Sequence, residues 1–96
     1  MAEVKWTSPA QSDLASILDF LVERNVSAAR RFTETLDQKS QLYAGQPEMG
    51  SLYPGLDGDA RFFLVQPYVV FYRPLPDGIV ILRIIYGTRD IPSHLS

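Results

Sequence analysis

The chain has 96 residues, 46% of them hydrophobic and 21% charged, with a net charge of −2, the profile of one globular domain spanning 1–96. With no cysteine and a single histidine, His94 beside Ser93 and Ser96, disulfides and thiolate metal sites are excluded and neither metal nor cofactor is expected. The acidic balance argues against a dedicated nucleic-acid binder, whose affinity comes mainly from phosphate neutralisation. No apolar run approaches the ~18 residues of a membrane span, and no charged-then-apolar leader opens the chain, so a soluble, cytoplasmic protein is expected.

Glu3–Thr7 sets Val4 and Trp6 in alternation with Lys5, the pattern of a short strand. Ser8-Pro9-Ala10-Gln11 reads as a helix start, with Ser8 as cap, Pro9 at the first helical position and Gln11 completing a capping box. Ala10, Leu14, Ile17, Leu18 and Leu21 follow as one apolar stripe. Asn25 reads as a left-handed stop and Ser27 as the cap of a second helix, which leaves only Val26 and Ser27 as a link. So short a connection implies an antiparallel helical hairpin. The second helix carries Ala28, Ala29, Phe32, Leu36 and Tyr43 on its buried side. Arg30, Arg31, Glu34, Asp37 and Lys39 suit water, and Gly45 and Pro47 end the pattern. Gln46 to Asp59, with Pro47, Pro54, Gly50, Gly55 and Gly58, is expected to be an irregular loop and the most mobile part of the chain.

Arg61–Val65, Tyr68–Arg73 and Ile79–Tyr86 read as three strands. Gln66-Pro67 joins the first pair and residues 74–78 the second, links short enough for an antiparallel meander. Ile79–Tyr86 is apolar on both parities apart from Arg83, as in a central strand covered on both faces. One face is expected to meet the helices and the other the long loop, the C-terminal tail or a partner. The fold class is therefore α+β: an N-terminal strand, an antiparallel helical hairpin, and a three-stranded antiparallel meander packed on the hairpin. No repeat or second-domain linker interrupts it.

Arg61, Arg83, Tyr86 and Arg89 are the candidates for binding a target or partner. Arg61 either makes such a contact, snorkels beside Tyr72, or ties down the loop through Asp57 or Asp59. Arg83 lies in an apolar strand and requires a partner, such as Asp90 or Glu48, or an exposed patch of sheet. Gly87-Thr88-Arg89-Asp90 is either a turn in which Asp90 bonds backbone amides or the seat of a functional arginine. Tyr86, with an ordinary phenol pKa of ~10, is a poor base at neutral pH and reads as a packed or hydrogen-bonded tyrosine. Trp6 reads as a core anchor, with an interface role as the alternative.

The order of these parts resembles the RelE/ParE toxin superfamily. The resemblance rests on a strand, a helical hairpin, a loop with Pro47-Glu48-Met49-Gly50, and Arg61 opening a meander with Tyr68 and Tyr72. The ending Arg83-Ile84-Ile85-Tyr86-Gly87-Thr88-Arg89-Asp90 is similar to the close of the ParE branch, whose members commonly have histidine where this chain has Tyr86. The match runs from Val4 to about Asp90. It implies a toxin of a type II toxin–antitoxin pair, acting on DNA gyrase and neutralised by a ParD-type antitoxin.

The RelE branch instead cleaves messenger RNA on the ribosome, and such transesterification needs a base and cations at the scissile phosphate. The ribonuclease branch commonly has an arginine where this chain has Val69, and basic residues where it reads Phe62-Phe63-Leu64 after Arg61. Its C-terminal aromatic or histidine would fall near Leu95, and Arg89 is the one cation retained. A gyrase-binding toxin without covalent chemistry, with no catalytic residue and no sequence-specific nucleic-acid binding, is therefore expected. The alternatives are a ribosome-dependent ribonuclease and a non-toxic module that only binds its antitoxin.

Overall fold

The computed structural model describes residues 2–53 and 58–87. Strand β1 (Glu3–Trp6) leads into helix α1 (Ser8–Arg24), followed by α2 (Val26–Gly45), β2 (Ser51–Leu52), β3 (Arg61–Val65), β4 (Tyr68–Leu75) and β5 (Gly78–Tyr86). Thr7, rather than Ser8, caps α1: its extended backbone lets Oγ1 accept the Ala10 amide at 3.1 Å. The same hydroxyl donates to the Leu82 carbonyl at 2.9 Å, so the cap also pins the helix start to β5. Ser8 and Pro9 both lie inside the first turn, where the missing proline N–H costs nothing.

The helices meet through one residue, shorter than the expected two. Asn25 is extended (φ −168°), not left-handed; its amide closes α1 on Leu21 while its Oδ1 accepts the Ala28 amide and caps α2. Ser27 is therefore helical rather than a cap. Along α2, Ala29, Phe32, Leu36, Ser40 and Ala44 are buried at steps of three and four, the single stripe of a helix lying on a sheet. Its charged residues Arg30, Arg31, Glu34 and Asp37 are exposed as expected.

The five strands form one sheet in the order β1-β5-β4-β3-β2. The meander β3-β4-β5 is antiparallel, and β1 joins β5 in parallel, pairing Val4 with Ile79 and Trp6 with Ile81. The loop after α2 is less irregular than its composition suggested, since Ser51 and Leu52 pair with Phe62 and Arg61. Residues 54–57 of that loop lie outside the described residues. The two longer strands extend past their expected ends, so that only Pro76-Asp77 turns β4 into β5.

Ala10, Ile17, Phe32, Leu36 and Ala44 of the helices pack on Phe63, Val65, Tyr68, Val70, Tyr72, Ile79, Ile81 and Ile84 of the sheet. Trp6 joins this core half-buried. Tyr43 stacks on Phe63 with centroids 4.5 Å apart, a contact worth about 1 kcal/mol beyond its burial. A second apolar cluster, Val69 and Phe71 with Phe62, Leu64, Leu82 and Ile85, lies apart from the main core, and Tyr53 of the long loop packs on it. β5 reads as apolar on both parities because both faces of the sheet carry an apolar cluster, and a register shift changes which residues face each. Tyr72 pairs with Ile81 and Phe71 with Arg83, so Leu82 is an extra residue and the core positions step from Ile81 to Ile84.

Candidate functional site

Of the four residues singled out from sequence, three are described, and they do not converge on one point. Arg61 opens β3 and is half-buried; its Nη1 donates to the Gly50 carbonyl at 2.8 Å. Tyr72, directly opposite on β4 and fully buried, accepts the Gly50 amide at 2.9 Å and donates to the Pro47 carbonyl at 2.8 Å. Arg61 and Tyr72 together hold both polar groups of Gly50, which fixes the chain between α2 and β2. The loop-tying reading of Arg61 thus has its contact, through a carbonyl rather than Asp59, whose carboxylate pairs with Arg73. Asp57 lies outside the described residues. Burial pushes the Tyr72 phenol above its ordinary 10.0, with the Gly50 hydrogen bond and the Arg61 charge opposing.

Arg83 sits beside the bulge and is exposed, and the carboxylate it meets is Asp13 of α1 rather than Glu48. Nε donates to Oδ2 at 2.7 Å and Nη2 to Oδ1 at 3.1 Å, a two-pronged pair. Oδ2 also accepts the Ile84 amide at 2.9 Å. The reason is topological: β1 ends at Trp6, opposite Ile81, so the edge of β5 beyond it needs other partners. Thr7 takes the Leu82 carbonyl and Asp13 takes the Ile84 amide. The hydrogen bond and charge of Asp13 raise the Arg83 guanidinium above its ordinary value, so it stays charged at any working pH.

Tyr86 closes β5 and is 65% exposed, its ring edge-on to Tyr68 at 5.4 Å. These two rings, with Ile17, Phe20 and Ser16 of α1, line an open apolar groove of about 410 Å³. The Arg24 guanidinium lies 4.4 Å over the exposed Phe20 ring at the same end of α1. Burial, and secondarily Tyr86, raise the Tyr68 phenol from its ordinary value. Arg89, Asp90, His94 and Leu95 lie outside the described residues. Val69 is fully buried in the second apolar cluster. Among the described residues, no group of three histidine or carboxylate side chains stands close enough to hold a metal ion, and no helix is long and apolar enough to cross a membrane.

Sequence reasoning missed Asp13, Tyr72's two bonds and the Phe20–Arg24 pair. Asp13 left a trace: a carboxylate three residues after Ala10 and four before Ile17 borders the buried stripe, where an acid needs a partner. Nothing local to Gly50 or Pro47 points to a tyrosine more than twenty residues away.

Residues 4–91 match the family model described as the ParE toxin of the type II toxin-antitoxin system parDE. The chain is 34% identical over 90 residues to a Caulobacter vibrioides protein named Toxin RelE2, covering 93% of this chain and 99% of that one. In fold it resembles a chain of the chromosomal ParDE system from P. aeruginosa, with a TM-score of 0.70, 24% identity, and 91% and 97% of the two chains covered. With the sheet, the hairpin and a family match over nearly its whole length in agreement, this chain belongs to the ParE toxins of type II toxin–antitoxin systems, within the RelE/ParE superfamily.

Proposed function

We propose that this toxin acts by binding DNA gyrase, without covalent chemistry of its own, and that a ParD-type antitoxin neutralises it. The observation that carries the reading is the state of the sheet's side chains where a nuclease needs cations. Val69 is buried among apolar neighbours, Arg61 is held by a backbone carbonyl, and Arg73 and Arg83 are paired with carboxylates. Stabilising a phosphate transition state takes preorganised cations aimed at it, and paired arginines supply that poorly. Exposed apolar side chains suit a protein target better: Phe20, Tyr86, Leu52 and Met49 are each close to half exposed or more. On this reading Tyr86 and the outer edge of Arg83 are contact residues, Arg61 supports the loop that precedes β2, and Arg89 remains a candidate contact on sequence grounds.

Expression of the chain in a bacterial host should arrest growth, and co-expression of its ParD-type antitoxin should restore growth. Unimpaired growth with folded protein present would leave only an antitoxin-binding module. The kinship with a protein named Toxin RelE2 favours one other reading, ribosome-dependent cleavage of messenger RNA. Primer extension on messages from arrested cells separates the two, since cuts within translated codons would appear only for the ribonuclease.

A further inference from the structure

A second groove lies on the other side of the hairpin, between α2 and the end of β3. Its floor is Leu21, Phe32 and Val65, and its α2 wall carries Arg31, Thr35 and Lys39 at steps of four. No carboxylate lines it. Among the described residues Arg31, which is exposed, makes no ion pair, and the Lys39 ammonium donates only to the Leu64 carbonyl, at 2.6 Å. Two cations over an apolar floor, neither neutralised, run against the net charge of −2 of the whole chain. Solvation alone gives no reason to keep carboxylates away, because the opposite side of α2 mixes Arg30 with Glu34 and Asp37.

We infer that this groove receives an acidic, extended segment of the antitoxin, an assignment that rests on the toxin–antitoxin reading above. Arg31 and Lys39 are eight residues apart on one helix, so their bases stand about 12 Å apart along its axis. An extended chain advances about 3.3 Å per residue, so carboxylates at positions i and i+4 span that distance. Alternate side chains of an extended chain share a face, so the residue at i+2 points the same way as both carboxylates. The recognised pattern is acid-x-aliphatic-x-acid, with the aliphatic side chain on Leu21, Phe32 and Val65 and one carboxylate at each cation.

Two measurements test this. The first uses the peptide acetyl-Glu-Ser-Leu-Ser-Glu-amide and follows the backbone amides of the labelled chain by NMR. Shifts confined to Ala28, Arg31, Thr35, Lys39 and Gln66, weakened by salt and absent with the Lys-Ser-Leu-Ser-Lys counterpart, are expected. No shifts, or shifts centred on Phe20 and Tyr86, would overturn the assignment, as would saturation of the same amides by a single-stranded oligonucleotide but not the peptide. The second is calorimetry with the ParD-type antitoxin: Arg31→Glu should weaken binding by about tenfold, while Arg30→Glu, the same charge change outside the groove, should leave it unchanged. Equal affinity for both variants removes the groove and keeps the toxin–antitoxin reading. If the antitoxin does not bind the native chain at all, that reading falls, and the peptide titration alone decides the groove.

Discussion

Removing one oxygen, in Tyr72→Phe, isolates the link between the sheet and the loop after α2. The ring stays, with its contacts to Tyr43 and Phe63, so no cavity opens. What goes is the acceptor of the buried Gly50 amide and the donor to the Pro47 carbonyl. A buried donor left without a partner costs about 1–3 kcal/mol, and the surviving Arg61 bond to the Gly50 carbonyl keeps the amide from turning to water. The expected loss is about 2 kcal/mol, or roughly 10 °C in Tm for a domain of this size. Urea and thermal melts measure it directly. Gly50→Ala gives the complementary test, because a Cβ there would overlap the Tyr72 hydroxyl and break the same bonds from the other side. The double variant should therefore lose less than the sum of the two single ones. A loss below about 0.5 kcal/mol for Tyr72→Phe, or strict additivity, would refute the claim that this hydroxyl holds the loop.

Asp13→Ala should cost about 1–2 kcal/mol, most of it from the Ile84 amide at the bared edge of β5, since the Arg83 side chain is 53% exposed and its ion pair is screened. Hydrogen exchange at Ile84 should speed up in that variant, and an unchanged rate would contradict the role given to Asp13. Gly78→Ala places a Cβ inside the backbone of Glu3, which cannot move aside without leaving the sheet. A loss of about 3 kcal/mol and exchange of the β1 amides is expected, and a native-like melt would show that β1 does not lie where described. Tyr72 and Tyr68 both have phenols raised above 10.0, so above that pH the unfolded chain loses protons that the folded chain keeps. Stability should then fall as pH rises through about 10, and less steeply in Tyr72→Phe, as urea titrations at pH 9 to 11 would reveal.

The fold was legible because its elements are written locally. The α1 and α2 stripes, the two tight turns and the apolar strand runs each need only neighbouring residues, and all appear within a residue or two of their expected places. Asn25 shows the limit of that reading: an asparagine between helices fits a left-handed stop or an extended double cap, and the structure has the second. Arg83 shows another. Its apolar strand announced a paired charge or an exposed patch of sheet, and both hold, but the partner is 70 positions away, at the place where β1 happens to end. The bulge at Leu82 was hidden because both faces of the sheet are apolar, so a shift of register leaves the pattern unchanged. A surface that works by contact rather than by chemistry carries no spacing rule, which is why Phe20 and Arg24 drew no notice. Val69 could be read as far as its burial, since an apolar residue in the middle of an apolar strand is expected inside.

The claim that this toxin binds and arrests gyrase is tested most directly by supercoiling of relaxed plasmid with purified gyrase, with and without the purified chain. The account predicts loss of supercoiled product with accumulation of cleaved plasmid, both reversed by the antitoxin. Undiminished supercoiling in the presence of folded chain that still binds its antitoxin would contradict it.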